Sequence, residues 1–199
     1  PLNVRIIGAI NIDETTHYLS PKILDRAHIM KFDSPLLFDW TQIADEIEEN
    51  ENKNLKIKFT IEELGLRDPY PSFDKDNLFC QIITSFTKSY FQPLGIEVGL
   101  RTIRQGLNYQ NIYKEQESNE NLVLNNFILH KILPKMTFDW KKKVDENRSK
   151  EDILLEFQRV LKDNIDENLV NSKSVSVINE LDEIITASRS NDGIVNYWA

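Results

Sequence analysis

The chain has 199 residues, 40% of them hydrophobic, and a formal net charge of -8 at pH 7. It contains no apolar run of about 20 residues, so we expect no membrane span. The acidic balance disfavours non-specific binding to nucleic acid, so DNA would be contacted only indirectly. The single cysteine, Cys80, excludes an internal disulfide and a cysteine-rich zinc site. With no signal peptide at the N-terminus, a cytoplasmic protein is expected.

The first 34 residues have the pattern of a parallel α/β core. Residues 4–12 are almost continuously apolar, which is typical of a strand buried on both faces. Pro21 predicts the start of a short helix over about 21–27, and residues 28–32 predict a second strand. Two parallel strands cannot form a sheet alone. We therefore expect the other strands upstream, in a longer protein of which this chain is a C-terminal fragment.

The rest of the chain predicts a mainly α fold. A polar helix is predicted over 38–52, a half-buried strand or small hairpin over 55–61, and a loop with two prolines over 68–71. Amphipathic stripes and stop signals predict further helices. The first of these helices is marked by Leu78, Ile82, Ile83 and Phe86 and ends near Gly95, and the second is marked by Leu100, Ile103, Leu107 and Ile112. The third covers residues 122–133 and is closed by Pro134, and the last covers residues 173–188. Between these two, a capping box from Ser149 to Asp152 starts a helix marked by Ile153, Leu154, Phe157, Val160 and Leu161.

Four motifs follow one another along the chain: residues 7–16, residues 20–27, residues 99–104, and residues 131–135 together with 193–198. In this order they resemble the AAA+ ATPases of the branch related to McrB, the GTPase subunit of methylcytosine-dependent restriction systems. Residues 7–16, Ile-Gly-Ala-Ile-Asn-Ile-Asp-Glu-Thr-Thr, resemble the family's strand that ends in asparagine. Residues 20–27, Ser-Pro-Lys-Ile-Leu-Asp-Arg-Ala, resemble the helix that carries the arginine finger. Residues 99–104, Gly-Leu-Arg-Thr-Ile-Arg, resemble the lid helix with the second sensor arginine. Residues 131–135 and 193–198 resemble the closing helices and the Gly-aromatic-Trp tail.

The resemblance implies that residues 1–34 are the C-terminal remnant of the AAA+ core and residues 35–199 the helical lid. The intact protein would hydrolyse ATP or GTP, with magnesium, in an oligomeric ring that we expect to be a hexamer. The ring would drive a partner, such as a restriction or defence nuclease. This chain lacks the phosphate-binding loop and the paired acids that hold magnesium, so no nucleotide is expected on the fragment alone.

The resemblance also assigns roles to particular residues. Asn11 would orient the attacking water, since an amide can both accept from water and donate to a phosphate oxygen. Its alternative is to cap the strand by binding its own loop. Arg26 would be the finger that completes the neighbouring protomer's site. Arg101 opens its helix and is the better second sensor, although Arg104, one turn further on, is also a candidate.

The finger helix departs from the family pattern. Many McrB-type proteins have three arginines before a phenylalanine, whereas the corresponding residues here are Asp25, Arg26, Ala27 and His28, so only Arg26 matches. This departure indicates a divergent subgroup. The alternative for Arg26 is a surface salt bridge with Asp25 or Glu14.

Other residues carry simpler interpretations. The three histidines have no ligand spacing and predict no zinc site, so no metal ligand is assigned. The three tryptophans are expected to pack, and the basic run at 141–143 to be a solvated loop rather than a DNA contact. A different class of function, a helical protein–protein interaction domain without nucleotide hydrolysis, stays open.

Overall fold

The computed structural model describes residues 6–10, 19–31, 45, 48, 71, 72, 74–115, 120–165 and 175–198. Five predictions lie outside these ranges: the role of Asn11, the ion pair of Arg26 with Glu14, the domain boundary between residues 34 and 35, the packing of Trp40, and the strand or hairpin at 55–61. Most of the predicted helix over 38–52 is also outside them, although Asp45 and Glu48 have a helical backbone.

The chain consists of two compact units. One consists of Pro1–Ile10 and Met30–Pro69, and the other of Asn11–Ile29 and Tyr70–Ala199. The second unit contains the short helix that resembles the finger helix and all the helices from residue 78 onward, so it is the unit that carries the candidate site.

Neither predicted N-terminal strand forms in the described residues. Residues 6–10 and 28–31 have no regular secondary structure, and Ile6 and Ile7 are 91% and 98% exposed. The two strand predictions are therefore wrong for these residues. A parallel strand is stable only between hydrogen-bonded neighbours, and the described part of the chain supplies none for them.

The second unit is mainly helical, as predicted, and within the described ranges it has a two-stranded sheet. No helix in those ranges has both the length and the apolar character needed to cross a membrane. The elements in chain order are α1 (Pro21–Arg26), α2 (Leu78–Phe86) continued by a π-helical turn (Thr87–Phe91) and α3 (Gln92–Leu94), α4 (Leu100–Glu115), α5 (Glu120–Phe127) continued by a second π-helical turn (Ile128–Ile132) and a 3-10 turn (Leu133–Lys135), β1 (Thr137–Asp139), α6 (Lys150–Asn164), α7 (Val177–Ser190) and β2 (Ile194–Asn196).

Several predicted helix ends are confirmed. Pro21 is the first residue of α1, where its missing N–H costs nothing. Ser149 and Asp152 form a capping box before α6: the Ser149 hydroxyl accepts from the Asp152 N–H at 3.2 Å, and the Asp152 carboxylate accepts from the Ser149 N–H at 2.8 Å. Gly95 ends α3 with a φ of 89°, in the left-handed region that favours glycine.

An aromatic cluster joins α2, the first π-helical turn and α6. The Phe157 ring lies edge-on to Phe86 and to Phe91, with ring centroids 5.6 Å and 5.2 Å apart, a favourable geometry for aromatic pairs. Phe91, Phe157 and Ile83 are fully buried, which confirms the core face predicted for α2 and α6. Leu78, predicted to lie on that face, is 57% exposed because it occupies the first residue of its helix.

The apolar stripe predicted for α4 is only partly correct. Leu107 is buried, but Leu100 and Ile112 are 70% and 47% exposed. The helix packs instead through small residues, the fully buried Thr102 and Gly106. A glycine at this position lets the aromatic rings of α2 and α5 approach the backbone of α4, which a stripe of large side chains would prevent.

The small sheet was not predicted. In it β1 pairs with β2 antiparallel, with Phe138 opposite Val195. Strands of three residues are too short for an alternating pattern to indicate them. Trp140 and Trp198 pack around the sheet as expected: Trp140 is buried, and the Trp198 ring N–H donates to the Pro134 carbonyl at 3.1 Å.

The basic run Lys141 to Lys143 lies in an exposed loop between β1 and α6, as predicted. Lys141 forms an ion pair with Asp192, in the turn before β2. Pairs between exposed side chains contribute little to stability. Because residues 141–143 are all exposed, this run is a solvated loop.

Replacing Gly106 with alanine should destabilise the second unit. An added Cβ would lie 2.6 Å from a Phe79 ring carbon and 2.8 Å from one of Phe127, so these buried rings must shift. We expect the free energy of unfolding to fall by about 1–3 kcal/mol, measured by urea denaturation. The control is Gly8→Ala, where nothing lies within 4 Å of the added atom. Equal stability of the two variants would contradict the proposed packing of α4.

Candidate functional site

The short helix α1 is held against the helices of its own unit. It has only six residues, too few for an isolated helix to be stable in water. Leu24 is its buried residue, and α1 packs on α4 and on the 3-10 turn. Since one leucine buries little area, the polar contacts at the end of α1 decide how it is positioned.

Asp25 carries three of these contacts. Its Oδ1 accepts a hydrogen bond from the hydroxyl of the fully buried Thr102 at 2.8 Å, and Lys135 Nζ lies 3.3 Å from the same oxygen. On the other oxygen, Oδ2, the nearest cation is Arg101 Nη1 at 3.8 Å. Burial opposes the ionisation of Asp25, but the hydrogen bond from Thr102 and the charge of Lys135 outweigh it, so its pKa is lowered.

Lys131 caps the C-terminal end of α1. Its side chain is almost completely buried, and Nζ donates to the carbonyl oxygens of Asp25, at 3.1 Å, and of Ala27. Carbonyls at a helix end lack intrahelical donors and carry partial negative charge, so a buried cation satisfies both requirements. Burial and the charge of Lys135 lower the pKa of Lys131 to about 8, which keeps the amine mainly charged at pH 7.

A proline explains a further contact in this region. In a regular α-helix the carbonyl of His130 would accept from the N–H of residue 134, but Pro134 has none. The chain forms a π-helical turn before this proline, and the His130 carbonyl accepts instead from the N–H of Ile29 at 3.2 Å. The residues that follow α1 are thereby fixed to the second π-helical turn.

A cleft of about 180 Å³ lies at the end of α1. Two cationic side chains, Arg26 and Lys131, line it together with polar and aromatic groups. The Gln105 side-chain oxygen in its wall is buried and has no hydrogen-bond partner among the described residues. The other lining residues are His28, Tyr109 and Phe127. The cleft is therefore cationic, with an acceptor still unsatisfied.

Two histidines distant in sequence meet beside this cleft. The ring centroids of His28 and His130 are 4.9 Å apart, and His28 also lies against Tyr109 at 5.8 Å. Burial of its ring, with repulsion from His130 when that ring is protonated and from the charge of Lys131, lowers the pKa of His28 to about 4. Burial also lowers the pKa of His130. Both rings are therefore neutral at pH 7. No group of three potential metal ligands occurs among the described residues.

The predicted site residues have different positions. Arg26 is exposed in the last turn of α1, and no carboxylate among the described residues pairs with it. The alternative that it pairs with Asp25 is wrong, because Asp25 pairs with Arg101 and Lys135. Arg101 is half exposed and lies beside α1. Arg104 is one turn further along α4 and is exposed.

Four residues that dock α1 were not predicted from the sequence: Thr102, Lys131, Lys135, and Asp25 as the residue that accepts their hydrogen bonds. Two signals were present. Lys131 and Lys135 are spaced to lie on one helical face, and Thr102 adjoins the predicted second sensor. Neither signal identifies Asp25 as the partner of these side chains, because Asp25 lies 77 residues before Thr102 and 106 before Lys131 and meets them only in the folded chain.

Fold and site together define a mainly α-helical domain that holds a short N-terminal helix through a buried lysine and an ionised aspartate. Residues 74–193, more than half of the chain, match the family described as Domain of unknown function (DUF8727), and the chain belongs to that family. The match extends from before α2 to the turn before β2, whereas α1 lies outside it. The chain has no significant match among curated proteins or solved structures.

Removing the buried amine should release α1. The Lys131→Met variant keeps the length of the side chain but leaves the carbonyls of Asp25 and Ala27 without their donor. We expect the free energy of unfolding in urea to fall by about 2 kcal/mol. The matched control is Lys162→Met, which removes an exposed ion pair to Asp182 and should cost at most about 0.5 kcal/mol. Equal losses would contradict the capping role of Lys131.

The histidine pair should make stability depend on pH. Because the folded-state pKa of His28, about 4, lies below the unfolded value of 6.5, the unfolded state binds more protons between these values. The free energy of unfolding should therefore fall as the pH is lowered from 6.5 toward 4. His28→Gln should flatten this dependence, although by less than the full shift implies, because the residue retains an exposed face. Urea denaturation at pH 7, 6, 5 and 4.5 measures the difference; parallel curves for the two proteins would refute it.

Proposed function

We propose that this chain is the sensor and lid part of a McrB-like AAA+ nucleoside triphosphatase. In the intact protein, ATP or GTP is hydrolysed in an oligomeric ring, a hexamer, which drives a partner such as a restriction or defence nuclease. Arg26 completes the site of the neighbouring protomer, Asn11 orients the attacking water, and Arg101 or Arg104 contacts the nucleotide of its own protomer. The exposure of Arg26 at the end of a firmly docked helix is the observation that best supports this proposal.

An arginine finger needs a rigid support and a free end. Phosphoryl transfer is catalysed mainly by cations placed accurately on developing charge, so a small displacement of the cation lowers the rate. Consecutive helical residues point about 100° apart. With Asp25 turned toward α4 and the 3-10 turn, Arg26 is turned to a different side and exposed to solvent. This arrangement suits a cation that acts on another subunit.

Arg101 suits a contact with the nucleotide of its own subunit. Its side chain is 55% exposed, and its ion pair with Asp25, at 3.8 Å, is of the kind that contributes about 1 kcal/mol or less. Phosphate binds arginine through two charge-assisted hydrogen bonds and competes well with such a contact. Arg101 can therefore exchange partners at little cost.

The described residues fit the phosphates of a nucleotide but not its magnesium ion. Exposed guanidinium groups at positions 26, 101 and 104 supply positive charge. Asp25 is the carboxylate beside them, and its oxygens already accept from Thr102 and Lys135 and face Arg101. Ligands for magnesium must come from elsewhere in the intact protein.

The test is nucleotide turnover by the intact protein, with ATP and GTP compared. Arg26→Ala should reduce turnover at least 100-fold, on the order expected for a finger arginine. A mixture of Arg26→Ala subunits with subunits that carry a defective phosphate-binding loop should partly recover it, since each supplies what the other lacks. The matched control is Lys22→Ala, which removes an exposed cation one turn earlier in α1 and should leave turnover unchanged.

Two outcomes would overturn this proposal. Turnover that Arg26→Ala leaves intact would exclude the finger role. Failure of the intact protein to bind or hydrolyse either nucleotide, or to form a ring, would favour a helical interaction domain instead.

A further inference from the structure

The two oxygens of the Asp25 carboxylate have different kinds of partner. Oδ1 accepts from the fully buried Thr102 at 2.8 Å and lies 3.3 Å from Lys135 Nζ, on a side chain that is 10% exposed. Oδ2 faces Arg101, whose side chain is 55% exposed, at 3.8 Å. The partners of Oδ1 are close and buried or nearly buried, whereas the partner of Oδ2 is more distant and more exposed. The contact with Arg101 is thus the exchangeable one.

Asp25 also stands between two arginines with separate proposed roles. It precedes Arg26 in the last turn of α1, and it faces Arg101 in the first turn of α4. Among the described side chains, only Lys131 and Asp25 anchor the end of α1 by polar contacts. Losing or gaining a contact of the Asp25 side chain therefore changes how firmly the end of α1 is held.

We infer that Asp25 is a positioning residue that couples the nucleotide bound by one subunit to the arginine finger that this subunit presents to its neighbour. The inference rests on the proposed function of Arg26 and Arg101. Without nucleotide, Arg101 pairs with Asp25 and helps to hold the end of α1. With nucleotide, Arg101 moves to a phosphate group, and Asp25 keeps only its contacts with Thr102 and Lys135.

The size of the coupling follows from the strength of the contact that is exchanged. An exposed ion pair of this kind corresponds to about a two- to fivefold change in an equilibrium constant. Linkage requires that the effect be reciprocal for binding: if nucleotide draws Arg101 away from Asp25, then Asp25 must weaken the binding of nucleotide by the same factor. This reciprocity separates a coupling role from a merely structural one.

The first experiment measures the equilibrium binding of a non-hydrolysable ATP or GTP analogue to the intact protein. Asp25→Asn keeps the size of the side chain but removes the charge that competes for Arg101, so the dissociation constant should fall about two- to fivefold. In an Arg101→Ala background the same substitution should have no effect on binding. Thr102→Val, which weakens the docking of α1 but leaves the Asp25 charge, should not tighten binding. A merely structural Asp25 would give weaker or unchanged binding in both backgrounds.

A second experiment isolates the effect across the subunit interface. Subunits with a defective phosphate-binding loop donate Arg26 to neighbours that carry Arg26→Ala, so all turnover occurs in the neighbours. Adding Arg101→Ala to the donors, which bind no nucleotide themselves, should lower turnover about two- to fivefold, because the donated finger loses one anchor. This readout does not require Asp25→Asn to fold. Arg159→Ala in the donors, an arginine on α6, should leave turnover unchanged.

The outcomes separate the two proposals. If the mixed rings hydrolyse nucleotide but Arg101→Ala in the donors changes nothing, the coupling is overturned while the finger role stands. If no mixture hydrolyses nucleotide, the proposed function is overturned, and the coupling with it. A reduced rate in the mixed rings, with tighter binding by Asp25→Asn that depends on Arg101, supports both.

Discussion

The buried amino group of Lys131 is the contact on which the candidate site depends. It lies in a helix–turn segment packed in the core, and it reaches the carbonyls at the end of a six-residue helix that could not persist alone. Burying a charged amine is costly unless it is hydrogen-bonded to groups of opposite polarity. The carbonyl end of α1 supplies such groups. The position of α1, and with it the direction of Arg26, follows from this requirement.

Prolines contribute to the same arrangement from within the helices. Both described π-helical turns precede a proline by two residues, Pro93 and Pro134, which can neither donate to a carbonyl four residues back nor tolerate its approach. A wider turn relieves the clash, and the His130 carbonyl cannot accept from the residue four positions on, because that residue is Pro134. The N–H of Ile29 takes that place. A local defect in one helix is thus converted into a bond that fixes the segment after α1.

The sequence predicted what local rules determine. Pro21 and the Ser149–Asp152 capping box correctly marked helix starts, and Gly95 correctly marked a helix end. The stripe around Phe157 correctly marked a core face. Each of these features depends on residues within one or two turns.

The stripe of α4 was misjudged at Leu100 because Gly106 and Thr102 carry the packing there. The sheet of β1 and β2 was missed because its strands are short and distant in sequence. Of the candidate site, Arg26 and Arg101 were predicted from motifs, whereas Asp25 was considered only as an alternative partner for Arg26 and in fact pairs with Arg101 and Lys135. Hydrogen bonds between residues 77 to 110 positions apart depend on how the helices pack, which no local pattern encodes.

The polar groups of the helical domain indicate that α1 is part of the same structural unit. Thr102 is fully buried and Lys131 nearly so, and the oxygens that accept their hydrogen bonds lie on α1 or directly after it. Without α1, the Thr102 hydroxyl and the Lys131 amine would lose these acceptors, which costs free energy for each group. The family match begins only at residue 74, yet these two residues within it require Asp25 and Ala27 outside it. The packing of the helical domain therefore depends on where α1 lies, because the acceptors of two of its buried donors are on α1 or directly after it. The same contacts fix the position of Arg26, the residue next to Asp25.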